Sequence, residues 1–241
     1  MHWSLAHSAA VGALFVWTGF VRSGLGFGGA ALGLPLLLFL DPHPLAWLPI
    51  IGFHLLFFSA LTLRSRLSNV DWAYLGASTR FIIPAALVGV VGLVHLPIAW
   101  LDRFIYGVSL FYGALWFLNW TIGSRRAWAD KLLLLAGGYV AGTSLTGAPL
   151  MVAVFMRNVA KERLRDTLFV LWFVLVALKM ATLSALGVDL HMKTAVLLLP
   201  VAAVGHWLGL KVHHRIARDE RQFRRLIGAG LLVVSLLGLL A

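Results

Sequence analysis

Residues 20–35, FVRSGLGFGGAALGLP, place Arg22 inside a long apolar run and follow it at once with Gly24, Gly26, Gly28 and Gly29. A permanent cation is hardest to solvate at bilayer depth, and glycine is, after proline, the residue least able to hold a helix. The pairing predicts a helix interrupted within an apolar segment, with a cation beside the opening.

The surroundings decide the solvent. Of 241 residues, 61% are hydrophobic and 12% charged, with a mean hydropathy of +0.91. Soluble domains are about half apolar and a quarter charged, so the composition describes an integral membrane protein, all-α and polytopic, with residues 1–241 forming a single membrane domain. The first ten residues, MHWSLAHSAA, lack the basic start of a cleavable signal and are read as part of the mature protein. Cysteine is absent, which excludes disulfides, thiolate metal sites and cysteine nucleophiles. No cofactor or metal site is expected. The net charge of +11 fits basic cytoplasmic loops rather than a nucleic-acid partner.

Apolar blocks run at about 8–40, 44–63, 72–96, 100–120, 132–156, 166–187, 194–212 and 226–241. A helix needs about 20 residues to cross the hydrocarbon. The first and fifth blocks are each cut by a Gly, Ser or Thr cluster into two pieces expected to be too short to span. The chain also repeats itself: Gly19-Phe20-Val21 returns as Gly138-Tyr139-Val140, Gly28 falls on Gly147, and Pro84 with Gly89 resembles Pro200 with Gly205. This suggests two homologous halves, 1–122 and 123–241, each a broken element followed by three helices.

Basic residues test the topology, because Lys and Arg collect in short cytoplasmic loops. If all eight blocks cross, the loops divide six against eleven; if the first and fifth dip in and return, they divide fifteen against two. The second arrangement is preferred: six full spans, two re-entrant hairpins, an inverted repeat, and basic loops in the cytoplasm. The alternative is eight ordinary transmembrane helices whose glycines serve close packing.

All nine acidic residues fall in or beside loops, whereas Arg22, Arg80, Lys179, His54 and His206 lie within the apolar blocks. Buried charges usually face an internal cavity, and here the balancing negative charge is expected to come from a solute. Each residue has a plainer reading: Arg22 bonded to carbonyls freed at the break, Arg80 and Lys179 snorkelling to an interface, and the histidines satisfied in packing. A helix restarting near Gly29 would aim free N–H groups at the membrane centre. The second break, residues 142–149, matches it with Gly142, Thr143, Ser144, Thr146, Gly147 and Pro149, the last suited to a first helical turn. Ser23, Thr143, Ser144 and Thr146 would add hydroxyl donors, and the two helix starts together would cradle a small oxyanion.

The Gly-rich GLGFGG-x5-P, repeated in weaker form as GTSLTGAP, resembles the sulfite exporter TauE/SafE family, also called the toluene sulfonate uptake permease family. The resemblance implies secondary transport of sulfite, sulfoacetate or other organosulfonates across the bacterial inner membrane. By position it falls on Gly24, Gly26, Gly28, Gly29 and Pro35, and then on Gly138, Gly142, Gly147 and Pro149; the second segment departs from the family's usual glycine triplet. The expectation is an alternating-access carrier in the lipid bilayer with Arg22 and Lys179 pairing a sulfur anion. His54 or His206 would carry protons, and homo-oligomers are compatible with it. The rivals are an anion channel, a noncatalytic membrane assembly subunit and, remotely, a hydrolase using Ser144 and His206; the protein is not read as an enzyme.

Overall fold

The computed structural model describes residues 4–25, 29–64, 66–120, 122, 126–218 and 220–240. The described chain is helical: α1 (Leu5–Leu25), α2 (Gly29–Leu37), α3 (Pro44–Leu63), α4 (Trp72–His95), α5 (Ile98–Phe117), α6 (Ala127–Ser144), α7 (Ala148–Asn158), α8 (Lys161–Ala185), α9 (Met192–Arg218) and α10 (Glu220–Leu240), with a 3-10 turn at Leu67–Asn69.

Among the described residues, six helices are long and apolar enough to cross a membrane: α1, α3, α4, α8, α9 and α10. The number equals the expected six, but the set differs. α1 enters it because its 21 residues make a helix about 31 Å long, the thickness of the hydrocarbon core. The expectation that the first block breaks into two short pieces is therefore corrected: its break lies near one end, leaving a full-length arm and a nine-residue arm. The fifth block divides in the same way, into 18 and 11 residues. α5 has 20 residues but carries Asp102 and Arg103 near its start, which lowers its hydropathy.

The chain forms two compact units. The first comprises Met1–Leu48, Pro97–Trp120 and His191–Ala241; the second comprises Pro49–Leu96 and Thr121–Leu190. Neither is a sequence half, since each draws helices from both.

In the first unit, α1 packs along α9, and α5 along α10. Lipid tails are as apolar as leucine, so helices here associate through close packing rather than by escaping water. The sequence supplies small residues at the crossings. A methyl group on Gly19 would strike the carbonyl of Ala202, and one on Gly205 the carbonyl of Val16. α2 folds back antiparallel on α1, with Gly29 against Thr18 and Arg22 and Gly33 against Thr18. α5 and α10 run antiparallel through Gly113 and Gly228.

The second unit repeats the rule. α4 packs along α6, with Gly142 against the carbonyl of Ala86 and Gly89 against that of Tyr139. Both crossings pair a glycine of a hairpin arm with an Ala-x-x-Gly of the facing helix, Ala202 with Gly205 and Ala86 with Gly89. The contact on α6 comes one turn later than the alignment of Gly19 with Gly138 suggests. α7 folds back on α6, held by Gly137 and Gly147 and closed at its base by an ion pair between Arg157 and Asp130. Asp71 caps α4 through Tyr74 N at 2.9 Å.

One expectation about charge also changes. Asp166, read as lying in or beside a loop, is 3% exposed. It accepts from Asn69 Nδ2 at 2.7 Å and faces Arg66 at 3.8 Å, so it ties the 3-10 turn to the first turns of α8.

Candidate functional site

Among the described residues, each unit holds one buried cation near the end of its hairpin's long arm. In the first, Arg22 is 7% exposed in the last turn of α1. In the second, Lys179 of α8 is 2% exposed, and its ammonium donates to the carbonyls of Gly142 at 2.6 Å and Thr143 at 3.0 Å.

These placements answer the question raised by Arg22. The last carbonyls of a helix have no partner inside it, and together they carry about half a negative charge. Arg22 sits at the negative end of α1, and Lys179 reaches across from α8 to the negative end of α6. A cation there is stabilised by the end of the long arm, and the positive N-terminal end of the short arm lies close by. For Lys179 the expected dependence on solute charge is thus met in part by the protein: two of three ammonium donors already have acceptors.

The second break is narrower than residues 142–149. Gly142, Thr143 and Ser144 belong to α6; only Leu145, Thr146 and Gly147 leave the helix. Leu145 terminates α6 in the left-handed conformation, at φ 59° and ψ 16°, with its N–H on Ala141 O at 3.0 Å. Glycine usually takes that position, and the pattern offered no signal that a leucine would. Gly147 precedes α7 and Pro149 lies in its first turn, as the sequence suggested. Gly147 is required by space, because a methyl group would strike the Gly137 carbonyl. The first break restarts at Gly29 as expected. Gly24 is buried at the end of α1, while Gly26 and Gly28 lie outside the described residues.

All four hydroxyls expected to donate to a ligand donate elsewhere. Ser23 donates to Gly19 O at 2.9 Å and to His206 O at 2.8 Å, joining α1 to α9. Thr143 donates to Tyr139 O at 3.0 Å. Ser144 donates to Val140 O at 2.9 Å and stands 2.6 Å from Thr146 Oγ1, so Thr146 is the donor of that pair. Such back-bonds satisfy hydroxyls inside a helix and oppose activation of Ser144 as a nucleophile.

The remaining candidates separate. His206 is half-buried on α9, where Arg22 acts on it electrostatically. His54 is buried on α3, two residues after Gly52, which packs on Met180 of α8. Arg80 departs from the expectation of an interior charge: it is exposed, with its guanidinium 4.9 Å from the Phe81 ring centre. Its position in the third turn of α4 lets the long side chain reach outward.

The family model described as sulfite exporter TauE/SafE matches residues 11–237, nearly the whole chain and both hairpins. The chain belongs to the sulfite exporter TauE/SafE family. No curated protein and no solved structure matches this TauE/SafE chain. Membership together with six membrane-length helices makes it a multi-pass membrane protein of a transporter family. The Asp130–Arg157 pair at the hairpin base is what sequence reading missed in the fifth block. Its signal was present as opposite charges flanking one interrupted apolar block.

Proposed function

We propose that this TauE/SafE protein is a secondary transporter that carries small sulfur-containing anions, sulfite or organosulfonates, across the inner membrane by alternating access. The observation that carries the reading is the buried cation near the end of each hairpin's long arm. Holding a cation away from water costs several kcal/mol, and charged side chains at membrane depth usually mark a substrate or ion pathway. The binding groups are Arg22 with the first N–H groups of α2, and Lys179 with the N–H groups at the start of α7. His206, beside Arg22, and His54 are the proton carriers.

We further propose that both hairpins are re-entrant and the halves inverted, with basic loops in the cytoplasm. The antiparallel fold-back of α2 on α1 and of α7 on α6 supports this, as does the Asp130–Arg157 pair, which brings the ends of the second hairpin together. Proteoliposomes offered sulfite, sulfonates, sulfate and carboxylates, with and without a pH gradient, test the function. Saturable uptake of sulfite or a sulfonate, with counterflow, is expected. Arg22→Gln is expected to abolish it with expression unchanged. Carboxylate flux in place of sulfur-anion flux, or full flux in Arg22→Gln, refutes the reading.

A further inference from the structure

In the first unit a cavity of about 300 Å³ lies between α1, α2 and α10, lined among others by Trp17, Leu32, Leu36, Phe223, Ile227 and Leu231. Its rim includes Leu226, 73% exposed, and exposed Gly230. The lining is apolar apart from one group: the indole Nε1 of Trp17 is buried and has no acceptor among the described residues. Nothing in the proposed anion path uses this groove.

We propose that the groove holds one anionic phospholipid, with an acyl chain along α10 and the phosphate at Arg221 and Arg225. Length is the first argument. From Phe223 to Val234 the lining covers about 17 Å of α10, close to half of the 30 Å hydrocarbon core, which is the depth of one leaflet. Charge is the second. The groove begins at Phe223, in the first turn of α10, flanked by exposed Arg221 and by Arg224 and Arg225. Arg225 is fixed there by donating from Nε to Phe117 O at 3.2 Å. Basic residues at a membrane surface attract anionic headgroups, so the charged end of the groove is where a phosphate belongs.

The test uses the purified full chain with phosphatidylglycerol carrying a photoactivatable group on its acyl chain, and phosphatidylcholine labelled in the same way. Mass spectrometry locates the crosslinks. Labelling is expected to concentrate on residues 223–234, with phosphatidylglycerol ahead. Gly230→Leu fills the groove, and a Cβ at Gly230 meets nothing within 4 Å. It is expected to lower that labelling about tenfold, because losing two methylenes of buried chain already changes binding by that much. Gly76→Leu on α4, equally open, leaves labelling of residues 223–234 unchanged. Arg221→Gln with Arg225→Gln, at exposed positions, is expected to erase the preference for phosphatidylglycerol. Equal labelling in wild type and Gly230→Leu overturns the groove, and equal labelling by the two lipids in wild type overturns the anionic headgroup.

Discussion

Lys179 shows how opposed terms settle at one residue. Its two charge-assisted bonds to Gly142 and Thr143 contribute about 1.5–3 kcal/mol each, while keeping the ammonium out of water costs several kcal/mol. The terms nearly cancel, so Lys179→Met is expected to change unfolding stability by less than about 2 kcal/mol while abolishing sulfite flux. Thermal unfolding in detergent, measured beside proteoliposome uptake, separates this from a purely structural role, in which both would fall together. Leu145 tests the backbone. A side chain in the left-handed region costs about 1–2 kcal/mol, and glycine returns part of that gain as chain entropy. Leu145→Gly is therefore expected to be as stable as wild type or up to about 1 kcal/mol more stable. Leu145→Val, branched at Cβ, should be less stable than both. A Leu145→Gly protein less stable than the valine variant would show that the side chain, and not the turn, matters there.

At the scale of elements, the helix crossings depend on missing side chains. Gly89 and Gly205 each face a carbonyl of the crossing arm, so a methyl group at either must push two helices apart. Gly89→Ala and Gly205→Ala are expected to lower stability by about 1–3 kcal/mol. Gly107→Ala, where nothing lies within 4 Å, should raise it by about 1 kcal/mol through helix propensity. Melting temperatures of the three variants check the contrast, and equal shifts in all of them would remove close approach as the cause. The hairpin base makes a related case. Arg157 and Asp130 are partly exposed, so Asp130→Asn is expected to cost only about 1 kcal/mol.

At the scale of the whole molecule, the family assignment rests on a match from residue 11 to residue 237, and the sidedness of the loops belongs to the proposal. The absence of cysteine allows a direct check. Single cysteines at Pro42 and Ala160, both exposed loop positions, are expected to react with an impermeant maleimide from opposite faces of oriented vesicles. Reaction from one face would restore eight ordinary spans.

Sequence by itself determined the solvent, the helical class, the two interrupted segments and the family. Each follows from composition or from glycine placement, which act locally along the chain. It also named both buried cations, because a charge in an apolar run is visible without coordinates. Tertiary structure decided what those cations touch. Lys179 finds Gly142 and Thr143 more than thirty residues away, and no local pattern encodes which helix end a lysine will reach. The same holds for the hydroxyls of Ser23, Thr143 and Ser144, which could as well have faced a ligand as a carbonyl. The ends of the long arms, the ion pair that closes the second hairpin and the burial of Asp166 all depend on which helices lie side by side. Among helices apolar on nearly every face, close packing at a few small residues selects the neighbours, and hydrophobicity alone does not.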